Sequence, residues 1–167
     1  MSDDTSARLA LPLLAAGQAQ KEMTVNEALT RLDIAVQAAA VAAGVETPPE
    51  APQAGQCWIV GDAPTGAWSN RAAMLAGWTN DGWRYVTPTA GMAVWVAADG
   101  DVWRWTGSAW AAGELAGLRV SIGGTQVVGA QAAAIGDPDG GDVVDDVART
   151  TIGAVLATLR AHGLIAT

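Results

Sequence analysis

The chain has 167 residues, with 9 Lys and Arg against 17 Asp and Glu, one His, one Cys and a formal net charge of −8. That is enough for one compact domain or two small modules. It offers no cluster of cations to displace counterions from a phosphate backbone, which excludes nucleic acid as a partner, and no cysteine pair for a disulfide, a zinc site or an iron–sulfur centre. The apolar fraction is 50%, but 36 residues are Ala, 8 are Trp and none is Phe. Large apolar side chains are therefore scarce, and part of the stability is expected from contacts between subunits.

Residues 1–8 are polar and without period, and read as a flexible N-terminal arm. The apolar run 9–16 follows Asp3 and Asp4, whereas a secretory signal would be basic there, so it reads as mature structure. No stretch approaches the roughly 18 apolar residues needed to cross a bilayer, and a soluble protein without membrane insertion is expected. Residues 9–44 read as a helical oligomerisation segment. Thr24-Val25-Asn26-Glu27 has the form of a capping box, predicting a helix from Thr24, with Gly44 and Pro48-Pro49 to end it. Val25, Leu29, Leu32, Val36, Ala39 and Ala43 recur at spacings of four and three, a heptad seam. The seam fits a helix lying on its own domain as well as one meeting a copy of itself.

Residues 45–56 hold Pro48, Pro49, Pro52 and Gly55 and read as an extended linker. Residues 57–117 contain all eight Trp, with predicted strands at 57–60, 83–86, 92–96 and 102–105. Turn signals fall at Gly61-Asp62, Asn80-Asp81-Gly82, Asp99-Gly100 and Thr106-Gly107. This is a Trp-rich antiparallel meander in which Cys57 is expected to be buried. Trp83-Arg84-Tyr85 and Trp103-Arg104-Trp105 share one alternation of aromatic and Arg.

In residues 118–167 a hairpin is expected around Gly123-Gly124, between Val120 and Ile122 on one side and Val127-Val128 on the other. A helix follows, with Asp142, Asp145 and Asp146 at its start and Arg160 and His162 at its end, each sign where the dipole favours it. Val144, Ala148, Ile152, Val155 and Leu159 form its apolar stripe, and Gly163 with Leu164-Ile165 has the form of a Schellman ending. The fold class is thus α+β: an N-terminal helix, a small antiparallel β-meander, then a hairpin and a C-terminal helix. Self-association is expected through Val25, Leu29, Leu32 and Val36 or through Ile152, Val155 and Leu159.

No nucleophile elbow, phosphate loop or dinucleotide fingerprint is present. His162 suits a helix C-terminus, and nothing near Cys57 or His162 supports an activated thiol. Asp137-Pro138-Asp139-Gly140-Gly141-Asp142 lacks the third alternating ligand and the closing Glu of a calcium loop, and reads as a turn and helix cap. The sequence therefore assigns no catalytic residue, metal or cofactor, and an enzyme is not expected. Indole faces stack on sugar rings as well as on other side chains. Most of the Trp are expected to fill the core of the small sheet or a subunit interface. Trp68, Trp83 and Trp103 are the candidates for carbohydrate contact, with Trp68, beside Gly66, the first choice for an exposed ring.

The run Gly17-Gln18-Ala19-Gln20-Lys21-Glu22, followed by Asn26-Glu27-Ala28-Leu29 and Leu32-Asp33, resembles the opening signature of a family known mainly as a domain of unknown function. That family occurs in tailed-phage structural proteins and in head-spike proteins of gene transfer agents. Gly66-Ala67-Trp68 and Gly82-Trp83 extend the resemblance over roughly residues 9–110. Ala148-Arg149, Leu156, Leu159-Arg160 and His162-Gly163-Leu164-Ile165 are similar to the ending of many such proteins.

The resemblance implies a non-enzymatic structural protein of a phage-like particle, made in the bacterial cytoplasm and carried on the particle. It would be a head-spike or fibre-base adaptor, a homo-oligomer (trimer or pentamer) with a capsid shell protein and a separate fibre protein as partners. The alternative is a receptor module for host capsular polysaccharide. Longer members carry an extended receptor-binding region, and its lack here favours the adaptor. Gln18, Gln20, Asn26 and Asp33 are side chains able to satisfy backbone groups where the N-terminal arm meets the helix and a neighbouring subunit.

Overall fold

The structure, a computed structural model, describes residues 5–15, 17, 21–114, 117–140 and 145–166. The chain is α+β and divides into two compact units, Met1–Glu114 and Leu115–Thr167.

In the first unit, helix α1 spans Lys21–Ala35. It starts ahead of Thr24, so the expected capping box lies inside the helix. There Glu27 instead makes an i,i+4 ion pair with Arg31 at 2.8 Å. The helix also ends well short of Gly44, because Gln37 turns into the left-handed region at φ 45°. Its last turn carries no basic residue, and Arg8 supplies one from the N-terminal segment. The Arg8 guanidinium donates to the carbonyls of Asp33, Ile34, Val36 and Gln37, a cation on otherwise orphaned C-terminal acceptors.

The buried Asp33 carboxylate holds the same segment from the other side. It accepts from Ser6 Oγ at 2.7 Å, from the Arg8 backbone N–H at 2.9 Å and from the Leu9 N–H at 2.7 Å. Asn26 grips Leu14 in both directions, accepting from its N–H at 2.9 Å and donating to its carbonyl at 3.0 Å. Residues 5–8 are therefore docked, which corrects their assignment to a flexible arm; residues 1–4 lie outside the described part. Asn26 and Asp33 do satisfy backbone groups of the arm, while Gln18 and Gln20 fall outside the described residues.

After Gln37 the Ala-rich run becomes extended instead of helical. Strand β1, Ala39–Ala40, pairs in parallel with β5, Ala93–Val96. On its other side the Val41 N–H donates to the Cys57 carbonyl at 2.7 Å and the Ala42 carbonyl accepts from Ile59 at 3.1 Å. Ala has high helix propensity, but here both sheets offer backbone partners to an extended chain, and Ala38 and Ala40 are small enough to be buried between them. The seam therefore stops at Val36, and Ala39 and Ala43 are not part of any helix.

One sheet is the antiparallel set β2 (Cys57–Ile59), β3 (Leu75–Thr79) and β4 (Gly82–Val86). The other runs β1, β5, β6 (Asp101–Trp105) and β7 (Trp110–Ala112). The single meander expected from the turns is thus two sheets, with β1, β3 and β7 additional to the predicted strands. The stretch expected as a linker is partly tied down as well: Val45 bridges to Val60, and the Glu46 carbonyl accepts from Thr65 at 2.8 Å.

Strand β2 is buried on both faces. Cys57 and Ile59 join Ile34, Leu75, Val94 and Val96 in one core, while Trp58 and Val60 join Trp68 and Ala76 in the other. Helix α1 reaches the first core over Gly77, where a Cβ would lie 2.6 Å from Ile34 Cδ1. Burial pushes the Cys57 thiol up to about 11; the nearby Arg8 charge opposes this and that of Asp33 adds to it.

The second unit consists of the hairpin β8 (Val120–Ile122) and β9 (Thr125–Val128), a connecting stretch, and helix α2 (Asp146–Ala161). Gly123 and Gly124 both have positive φ, as a type I′ turn requires. Asp145 caps α2 by accepting from the Ala148 N–H at 2.9 Å; Asp142 and Val144 lie outside the described residues. The C-terminus is a Schellman motif: Gly163 N–H donates to the Arg160 carbonyl and Leu164 N–H to the Leu159 carbonyl, both at 2.9 Å.

The apolar stripe of α2 lies largely on its outward face. Leu156 is the buried residue of α2, flanked by Arg149 on the Gly140 carbonyl and Arg160 on Asp137 at 2.9 Å, while Ile152 and Val155 are exposed. No helix among the described residues is long and apolar enough to cross a membrane.

Candidate functional site

Four indoles cluster in the first unit. Trp68 and Trp83 meet edge to face at 5.0 Å between ring centroids, Trp58 and Trp83 at 5.6 Å, and Trp78 and Trp83 at 4.9 Å. Trp68 sits on a 3-10 turn at Gly66–Trp68 and is fully buried, its Nε1 without a partner among the described residues. This corrects its choice as the exposed ring: the turn that was read as a display point folds the indole under the sheet. Trp83 is half-buried in the same cluster. These rings are core, stacked at the geometries aromatic pairs prefer.

Trp103 stands elsewhere. The alternation of β6 puts Trp103 and Trp105 on one face. Across the β6–β7 ladder Trp105 pairs with Trp110, and the two rings meet at 5.5 Å. Trp110 is fixed by its Nε1 donating to the Ala73 carbonyl at 2.8 Å, and Trp103 by its Nε1 donating to Asp99 Oδ2 at 2.8 Å. With Glu46, Asp62 and Ser108 these indoles line a groove of about 350 Å³. Neither Glu46 nor Asp62 has its carboxylate in an ion pair or hydrogen bond among the described residues, and the Trp105 indole N–H is likewise unpaired among them. Such a groove offers flat apolar faces, a donor and two anionic acceptors to a bound molecule.

Of the three Trp singled out for carbohydrate, the structure brings only Trp103 to this groove. The sequence marked the Thr106-Gly107 turn between Trp105 and Trp110 but did not pair the two rings across it. Glu46 and Asp62 were not legible either, because they meet through the bridge between Val45 and Val60, which no local pattern announces. Of the expected interface residues, Val25 and Leu32 are exposed on α1, Leu29 is half-buried there, and Val36 is exposed in the turn just past the helix. On α2, Ile152 and Val155 are exposed and Leu159 is half-buried.

Residues 25–111 match the family described as "Protein of unknown function (DUF2793)", just over half of the chain. The chain belongs to that family. The DUF2793 span runs from inside α1 to β7 and takes in both sheets, the indole cluster and every residue of the groove. The docked segment 5–14 and the unit Leu115–Thr167 lie outside it. No curated protein matches the chain significantly. Among the described residues, no three His, Cys, Asp or Glu side chains come together in a way that could hold a metal ion.

Proposed function

We propose that this chain is a non-enzymatic structural subunit of a phage-like particle, a head-spike or fibre-base adaptor that assembles with copies of itself and links the particle shell to a fibre. The observation that supports it is the outward face of α2. Ala148, Ile152, Val155 and Leu159 follow the four-three-four spacing of a self-pairing helix, yet Ile152 and Val155 stand about half exposed, at 47% and 54%, while Leu156 serves the unit's interior. A second copy of the same stripe would cover it. The particle itself enters through the resemblance of the Gly17–Glu22 and Asn26–Asp33 signature.

Native mass measurement of the full chain tests the assembly. The wild type should be a closed oligomer, and Val155→Asp, which would bury an unpaired carboxylate at a cost of several kcal/mol, should be a monomer with unchanged circular dichroism. Particles lacking this chain should lose their fibres and adsorb poorly to cells. A monomeric wild type, or fibres still attached to such particles, overturns the reading.

A second reading, a module that grips surface polysaccharide, is favoured by the groove of Trp103, Trp105 and Trp110. It is compatible with the first, since weak contacts multiplied over a ring of subunits give useful avidity.

A further inference from the structure

The groove has a charge character that its aromatic walls alone would not give. Its lining includes two carboxylates, those of Glu46 and Asp62, and no Lys or Arg. Among the described residues neither carboxylate is neutralised by an ion pair. The Glu46 backbone is held by Thr65, and its side chain lies against Gly61, where a Cβ would come 2.9 Å from Glu46 Cγ. Glu46 and Asp62 are therefore carried on backbone fixed by the Val45–Val60 bridge, not on a free loop.

An anionic sugar would meet like charge here, with no cation to receive it. A neutral sugar would use the indole faces and leave the carboxylates hydrated. A sugar bearing an ammonium group would use both, since cation–π attraction to an indole and charge-assisted hydrogen bonding to a carboxylate act on the same positive centre.

Resting on the polysaccharide reading, we propose that the groove binds an amino sugar, its ring on the indole faces of Trp103, Trp105 and Trp110 and its ammonium against Glu46 and Asp62. The site would then select glycans with free amino groups over N-acetylated or uronic-acid glycans. The pyranose supplies C–H faces for the indoles, and the hydroxyls of the same ring can accept from the Trp105 N–H.

The experiment compares three trisaccharides with the full chain at physiological salt: fully deacetylated chitotriose, its tri-N-acetyl form, and trigalacturonate. Indole emission and calorimetry give the affinities. Salt at this level screens the general attraction of the negative surface for any cation. Under mildly acidic conditions chitotriose should bind at least tenfold more tightly than the acetylated trimer, and trigalacturonate should not bind.

Glu46→Gln with Asp62→Asn should erase that preference, bringing the two trimers to equal affinity. Trp105→Ala should abolish binding of both. Equal affinity for the acetylated and deacetylated trimers overturns the amino-sugar inference and leaves the polysaccharide reading standing. Chitotriose binding that survives Trp105→Ala overturns the inference too, as attraction to the surface alone. Preference for trigalacturonate overturns the charge argument, and no binding by any of the three overturns both readings.

Discussion

The two units use the same Ala-rich composition differently. Among the described residues, the first buries Trp68, Leu75, Val94 and Val96 completely, and Ile34, Cys57, Ile59 and Val60 almost so. Among the described residues of the second, Leu156 and Ile165 are the only buried apolar side chains, and Leu118, Ile122 and Val147 are left largely in water. What the second unit has instead is good local chemistry: a type I′ turn, an Asp N-cap and a Schellman ending. Each such device contributes on the order of 1 kcal/mol. They define a conformation without supplying a core, whereas the first unit gains its core by interleaving Trp rings and by inserting an extended Ala run between two sheets. A chain short of large apolar residues can thus bury a core in one region while another holds its conformation by local devices.

The sharpest way to break this comparison is to delete one side chain from each unit. Trp68→Ala removes a fully buried indole touching Trp58 and Trp83 and should cost about 3–5 kcal/mol, read as a lowered urea midpoint. Ile152→Ala, at a dilution where copies are apart, should stay within about 0.5 kcal/mol of wild type. A large cost for Ile152→Ala in the dilute chain would mean that its stripe already has a partner within the chain.

The same contrast explains what the sequence made legible. The second unit's hairpin, cap and ending were readable because each is written in adjacent residues: Gly123-Gly124, Asp145, and Gly163 with Leu164. In the first unit the turns at Asn80-Asp81-Gly82 and Asp99-Gly100 were readable for the same reason, and Cys57 was correctly placed in a buried strand. The fate of residues 38–45 was not. Their local preference is helical, and the choice is made by β2 and β5, which lie far along the chain. Trp68 was misplaced because a Gly beside a Trp marks a turn without telling which side of the sheet the ring will take. Asn26 and Asp33 were recognised as polar anchors, but Arg8 was not, since nothing local shows a guanidinium reaching the end of a helix that begins after it.

The docking of residues 5–14 offers a smaller test within the first unit. Asp33→Ala leaves the Ser6 hydroxyl and the N–H groups of Arg8 and Leu9 without their acceptor. A loss of about 2–3 kcal/mol is expected, partly relieved if water reaches the freed donors. Limited proteolysis should then cut near Arg8, a bond that resists cleavage in the wild type. Asp33→Asn, which keeps acceptor capacity at one oxygen, should fall between the two. If cleavage at Arg8 is equally fast in all three, the segment is not held by Asp33.

The smallest expected effect compares the ion pairs that join distant residues in each unit. Glu27 on α1 meets Arg84 on β4 at 2.7 Å, with both side chains about one-third exposed; Arg160 meets Asp137 at 2.9 Å, with Asp137 68% exposed. Burial pushes the Glu27 carboxyl up, but hydrogen bonds from Arg84 and then Arg31, with their charges, outweigh it and hold the carboxyl below its ordinary value of 4.5. A carboxyl lowered in the folded state takes up its proton first in the unfolded state. Its stabilising contribution is therefore complete above that ordinary value and is lost as pH falls from there through the lower folded value. Both guanidiniums stay charged throughout. Glu27→Gln should consequently melt at a lower temperature than wild type near neutral pH, and the gap should close on acidification below the ordinary carboxyl range. Added salt should shrink the neutral-pH gap without removing it, because the pair is only partly open to solvent. Asp137→Asn removes a carboxylate that is mostly in water and should show a smaller gap near neutral pH. A gap for Glu27→Gln that persists unchanged into acid would mean that Glu27 ties α1 to β4 by packing and hydrogen bonding alone, and the first unit's advantage over the second would then owe nothing to charge.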